Sequence, residues 1–144
     1  MAKKSPMALT MNLLKEKGLV YEKTEYWISY PQKKNNGKDD PKKPSGFRKD
    51  LLGFIDIMVL MGKFHIGIQV TSQTNQNARV KKITLDERIR PKAIKWLERG
   101  DRIEVWGWRE IKQDKTDGTL GKVAVWKPKI VKITIADFFA TIKT

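Results

Sequence analysis

The chain has no cysteine and a single histidine. The first absence excludes a disulfide framework, a thiol nucleophile and every zinc site built on Cys; the second excludes a His-rich metal cage. Long apolar runs are missing as well. No stretch approaches the roughly 20 residues that a bilayer-spanning helix needs. The start, Met1-Ala2-Lys3-Lys4-Ser5-Pro6, is basic but lacks the apolar segment of a signal peptide. No Walker loop, dinucleotide fingerprint, Ser-His-Asp arrangement or HExxH helix occurs. Negative charge is also scarce: sixteen Asp plus Glu stand against thirty Lys plus Arg, a formal net charge of +14 over 144 residues. The expectation is a cytoplasmic, basic domain that does not enter membranes and whose partner is a polyanion, most often nucleic acid.

Enough apolar sequence is present for a core. Apolar residues make up 40% of the chain, five of them are Trp, and the length fits one domain spanning 1–144. Helical spacing of Ala8, Met11 and Leu14 predicts a helix over 8–17, started at Ser5-Pro6 and stopped by Gly18. Residues 19–28 are rich in β-formers and read as one strand. From 31 to 46 almost nothing is apolar. Five lysines face two aspartates there among prolines and glycines, which reads as a mobile basic loop, either a solvated linker or an arm that grips a nucleic-acid backbone.

Two nearly continuous apolar strands, 54–61 and 64–71, follow around a turn at Gly62-Lys63. Strands of this kind are buried on both faces, as in the middle of an α/β sheet. A basic segment over 76–83 reads as a short helix opening at a Ser/Thr/Asn cap, and 87–99 as a second helix with Pro91 in its first turn. Two alternating strands, 102–111 and 122–133, flank the hairpin signal Asp114-Lys115-Thr116-Asp117-Gly118. A closing helix is expected over 134–142, with Thr134 as cap and Asp137 at its third position.

The informative anomaly is Asp56 within Phe54-Ile55-Asp56-Ile57-Met58-Val59-Leu60. Burying an ionised carboxylate costs several kcal/mol unless it is paired or binds a metal. The next strand repeats the anomaly at Gln69. A turn at Gly62-Lys63 makes Asp56 and Gln69 cross-strand neighbours, and Thr71 shares the face of Gln69. His65 can share that face at its far end, although a lone His is more often structural. Trp106 and Trp108 share one face of the carboxy-terminal hairpin while Arg109 projects oppositely. Those indoles either pack in the core or stack on bases of single-stranded or branched nucleic acid.

Together Gly53-Phe54-Ile55-Asp56-Ile57-Met58-Val59-Leu60 and Ile68-Gln69-Val70-Thr71-Ser72 resemble the metal-binding hairpin of the PD-(D/E)xK nuclease superfamily. The version here is similar to small phage and prophage proteins resembling Holliday-junction resolvases. The likeness extends to Glu25-Tyr26-Trp27, Asp50-Leu51-Leu52-Gly53, Asn75 to Ile83, Gly107-Trp108-Arg109 and Ile133 to Phe138. It implies a restriction-endonuclease-like α/β core, a mixed central sheet flanked by helices with a carboxy-terminal β-hairpin. It also implies a DNA endonuclease dependent on Mg²⁺ or Mn²⁺, branched DNA among its substrates, and a homodimer.

Gln69 stands where the superfamily has an acidic residue, and Thr71 where it has Lys. An amide oxygen is a poorer ligand for a hard cation than a carboxylate. The expected metal ligands are therefore Asp56 and Gln69, joined by Asp50 or Glu25. The expected catalytic set is Asp56, Gln69, Thr71 and Arg79, the last meeting the scissile phosphate with its fork of donors. Nucleic-acid contacts are expected from Arg48, Lys49, Ser72, Asn75, Arg79, Lys81, Lys82, Trp108 and Arg109. The two substitutions also favour a competing expectation, a degenerate nuclease fold that binds DNA or RNA without cleaving it.

Overall fold

In a computed structural model, which describes residues 5–29 and 46–139, the chain starts with helix α1 (Pro6–Glu16). The Ser5 hydroxyl accepts a hydrogen bond from the Ala8 amide (3.1 Å), Pro6 occupies the first turn, and Gly18 leaves the helix at φ 70°. This is the start and stop that the local sequence demands. The basic loop, apart from Gly46, and the last residues of the closing helix lie outside the described residues.

The strands are β1 (Val20–Lys23), β2 (Tyr26–Ser29), β3 (Gly46–Lys49), β4 (Ile57–Leu60), β5 (His65–Ser72), β6 (Arg102–Asp114) and β7 (Lys122–Ile133). Between β5 and β6 come a 3₁₀ turn (Gln73–Asn75), α2 (Gln76–Leu85) and α3 (Arg90–Glu98); α4 (Ile135–Phe139) closes the chain. Five strands form one mixed sheet in the order β1-β4-β5-β6-β7. Its β5 and β6 run parallel, linked by the helical crossover, and the other neighbours are antiparallel. The chain is thus α/β, with helices on both faces of the sheet. Among the described residues no helix is long and apolar enough to cross a membrane.

The apolar strands explain the two layers. Ile57, Val59 and Ile68 pack under α1 with Leu14, Trp106 and Trp108. Residues on the opposite face, among them Ile103, Val105 and Ile133, pack with Ile83, Ala93 and Trp96 of α2 and α3. Side chains alternate across a strand, so a strand covered on both sides needs apolar residues at every position.

Two elements differ from the sequence expectation. The single strand expected over 19–28 is two strands in different sheets: β1 pairs with β4, whereas β2 pairs with β3 in a separate two-stranded ribbon. The break is pinned by main-chain bonds. Thr24 and Glu25 N–H both donate to the Asp56 carbonyl (2.8 and 3.2 Å), and the Thr24 hydroxyl donates to the Ile55 carbonyl (2.7 Å). Second, β4 starts only at Ile57. Phe54 and Ile55 are fully buried from a turn in which Leu52 and Gly53 have φ 57° and 84°, and Asp56 lies in the bend before the strand, not in its middle. A short apolar run looks the same in either conformation.

Gln76 anchors the crossover. Its buried side-chain amide donates to the carbonyls of Val105 (2.9 Å) and Lys129 (2.6 Å), joining α2 to β6 and β7. Gly107 makes room for it, since a Cβ there would lie 2.7 Å from Gln76 Cδ and 3.1 Å from the Gln73 Cα. Gly107→Ala should therefore displace the amide and lower stability by about 2–4 kcal/mol, from two lost buried bonds plus overpacking. Urea unfolding checks this, and a loss no larger than that of an exposed Gly→Ala change would contradict it.

Candidate metal centre

The hairpin register brings the first polar residues together. Met61 N–H bonds the Phe64 carbonyl (3.0 Å) around Gly62-Lys63, and Leu60 then pairs with His65 and Ile57 with Ile68. One step further, Asp56 N–H donates to the Ile68 carbonyl (2.9 Å), which seats the Asp56 side chain beside Gln69. Asp56 Oδ2 accepts from Gln69 Nε2 and from the Val70 amide, both at 2.7 Å. Gln69 Nε2 also reaches Asp50 Oδ2 at 3.5 Å.

Two further carboxylates arrive from the ribbon. Glu25 occupies the break between β1 and β2, and Asp50 follows the last residue of β3. Ligand oxygens of Glu25, Asp50 and Asp56 all lie within 4.8 Å of one another. Asp56 is buried while the other two are half-buried. Burial raises the Asp56 carboxyl to about 8; the hydrogen bond to Asp50 and the charges of Asp50 and Glu25 push the same way, and the Val70 amide opposes them. Arg48 meets Glu25 at the rim (3.2 Å), but among the described residues no Lys or Arg pairs with Asp50 or Asp56.

This donor set fits a hard cation. Three carboxylates converge with one arginine at the rim between them, and a metal ion supplies the missing charge better than a shared proton does. Gln69 faces the cluster with Nε2, and its Oε1 is buried with no hydrogen-bond partner. Glu25, Asp50 and Asp56 thus lie close enough to hold a metal ion, with Gln69 against two of them.

Beside Asp50 opens a cleft of about 290 Å³ lined by Lys49, Lys82, Arg88 and Lys92, with Asp86 the other acid. Lys82 is half-buried on α2, three residues from half-buried Arg79, so the two share a helix face. Lys82, rather than Arg79, is the α2 cation that lines this cleft. Lys81 points to solvent. Thr71 is buried on the Gln69 face without a side-chain bond to the carboxylates among the described residues. Ser72 ends β5, and Asn75 stands at the α2 cap position without the side-chain capping bond expected of it.

Trp108 is not available for stacking: it is buried, and its indole N–H donates to the Thr10 hydroxyl (2.7 Å). Arg109, next along β6, is exposed. His65 serves structure, with its amide (2.8 Å) and Nδ1 (3.3 Å) both on Asp101 Oδ1. Sequence reasoning passed over Arg88, Lys92 and Thr24. No local pattern singles out a pair of cations around the start of α3 or a threonine that pins a strand break. Compared with models of known families, with curated proteins and with solved structures, the chain matches none. Its own residues provide an acidic cluster able to hold a metal ion, beside a cleft lined with cations.

Proposed function

We propose that the chain is a divalent-metal-dependent DNA endonuclease of phage or prophage type, with a restriction-endonuclease-like core whose metal ligands have been redistributed. The convergence of Glu25, Asp50 and Asp56 carries this reading. The strand position that is acidic in the PD-(D/E)xK pattern is Gln69 here, and the ribbon supplies two carboxylates in its place. When bound, Mg²⁺ or Mn²⁺ would polarise the phosphodiester and offset its charge. The protein's own part is positional. Val70 N–H and the Gln69 amide fix Asp56 Oδ2, and the Thr24 and Glu25 amides hold the Asp56 carbonyl, so that two ligands move as one unit. With Thr71 in place of Lys, the cation facing the phosphate comes from α2, as Lys82 or Arg79.

Nicking of supercoiled, flapped and four-way-junction DNA with Mn²⁺ or Mg²⁺ tests this. Cleavage should vanish with EDTA and in Asp50→Asn, while DNA binding persists. Wild type and Asp50→Asn behaving alike with every substrate would end the catalytic reading. A second reading, binding without cleavage, draws on the Gln69 donor already engaged with Asp56 and on the uncharged Thr71. It expects salt-sensitive binding indifferent to EDTA and to Asp50→Asn.

A further inference from the structure

The β2–β3 ribbon is the part of the fold that the core does not account for. Each of its strands has four residues, and a two-stranded ribbon of that size is marginal alone. Yet it holds Tyr26 at 58%, Trp27 at 49% and Phe47 at 42% exposure, none of them within either apolar cluster. Pairing sets Trp27 opposite Arg48, and Tyr26 opposite Lys49. The Trp27 indole rests on Gly46, where a Cβ would come within 2.7 Å of Nε1 and 2.8 Å of Cε2. Glycine is the residue that lets the ring settle there. The ring is therefore backed by Gly46 and half exposed, with a guanidinium as its cross-strand neighbour.

We propose that this ribbon binds unpaired nucleic-acid bases, with Trp27 as the stacking surface and Arg48, on the same face, as the accompanying cation. Aromatic rings interleaved with cations are the general means of holding single strands, because every base offers a π-face and every nucleotide a phosphate. In an intact duplex those faces are covered by neighbouring bases, so an exposed indole gains little from it. The charge balance of the chain agrees with a polyanionic occupant. Position agrees as well: Glu25 immediately precedes Tyr26, Asp50 immediately follows Lys49, and Arg48 reaches Glu25 at 3.2 Å. Trp27 lies two residues beyond Glu25, about 7 Å along a strand, or about two base steps of nucleic acid. A backbone that delivers a phosphate to the carboxylates thus passes the indole. Resting on the nuclease reading for its consequence, the ribbon directs cleavage to single-stranded or branched DNA.

Binding is measured by fluorescence anisotropy with the full chain in EDTA, using a labelled oligonucleotide and a duplex of the same length. Trp27→Leu should weaken single-strand binding about tenfold and change duplex binding less than about twofold. Trp27→Phe, which keeps an aromatic face, should retain most of the affinity. Lys92→Glu, in the cleft, should weaken both ligands alike, because it touches only backbone charge. Equal losses for both ligands in Trp27→Leu, or none for either, would overturn the proposal. So would a change of mass in light scattering from dimer to monomer with unchanged binding, since the ribbon would then be a self-association surface. EDTA separates the two readings: a protein that never cleaves can still show the single-strand preference, and a cleaving one can lack it.

Discussion

Asp56→Asn is expected to make the metal-free protein more stable near neutral pH while abolishing its response to Mn²⁺. In the wild type, burial and the neighbouring carboxylates raise the Asp56 carboxyl from 3.8 to about 8. The folded state therefore keeps a proton that the unfolded chain releases above about pH 4. With the folded value raised, the group's contribution is full below 3.8 and is lost progressively as pH climbs through the window up to about 8. The asparagine amide reproduces the protonated form: its oxygen can accept from Val70 and Gln69, and its NH₂ can donate toward Asp50. The variant should match wild type near pH 4 and gain on it up to pH 8, by on the order of a few kcal/mol, or roughly 5–10 °C in Tm.

Metal reverses the ranking. A divalent ion displaces the proton, so wild-type affinity should rise with pH and binding should raise Tm. The asparagine variant lacks the buried charge and should show neither effect, and nicking should fall at least about a hundredfold. Thermal unfolding across pH, with EDTA and with Mn²⁺, checks both halves. Parallel pH profiles for the two proteins would refute the burial argument. An equal Mn²⁺ shift would remove Asp56 from the metal centre.

Gln69→Glu carries the second large effect, with opposite signs in the two states. Gln69 is buried and places an N–H 2.7 Å from Asp56 Oδ2. The substitution sets a fourth carboxylate there, which without metal must take up a proton or repel its neighbour. The metal-free protein should lose about 2–4 kcal/mol. With Mn²⁺ present the added charged oxygen becomes a ligand, and Kd should fall about tenfold or more. Urea unfolding in EDTA and calorimetric titration with Mn²⁺ give the two numbers. Tighter metal binding should also carry more cleavage, and adding Thr71→Lys should raise it further by placing a cation on the strand. Unchanged metal affinity in Gln69→Glu would mean that position 69 lies outside the ion's reach.

The chain's own order of residues determined whatever depends on neighbours in sequence. A two-residue turn at Gly62-Lys63 together with the period of two leaves one register, and that register seats Asp56 beside Gln69. The start of α1 at Ser5-Pro6 and the twist of β6 back into β7 are local in the same way. Glu25 and Asp50 were visible as acids near the hairpin, but their meeting was not visible. It depends on Thr24 and Glu25 donating to the Asp56 carbonyl and on β2 pairing with β3 across a basic segment, contacts that span about thirty residues in the first case and have no local pattern. The same holds for the tryptophans. Trp27 and Trp108 both sit in strands, and packing separates them: α1 covers Trp108 and supplies Thr10 to its N–H, while Trp27 is half exposed and belongs to neither apolar cluster. Burial is a property of what lies across the sheet. The scarcity of acid that marks this sequence thus acquires its meaning in three dimensions, where three of the few carboxylates are brought within 4.8 Å of each other.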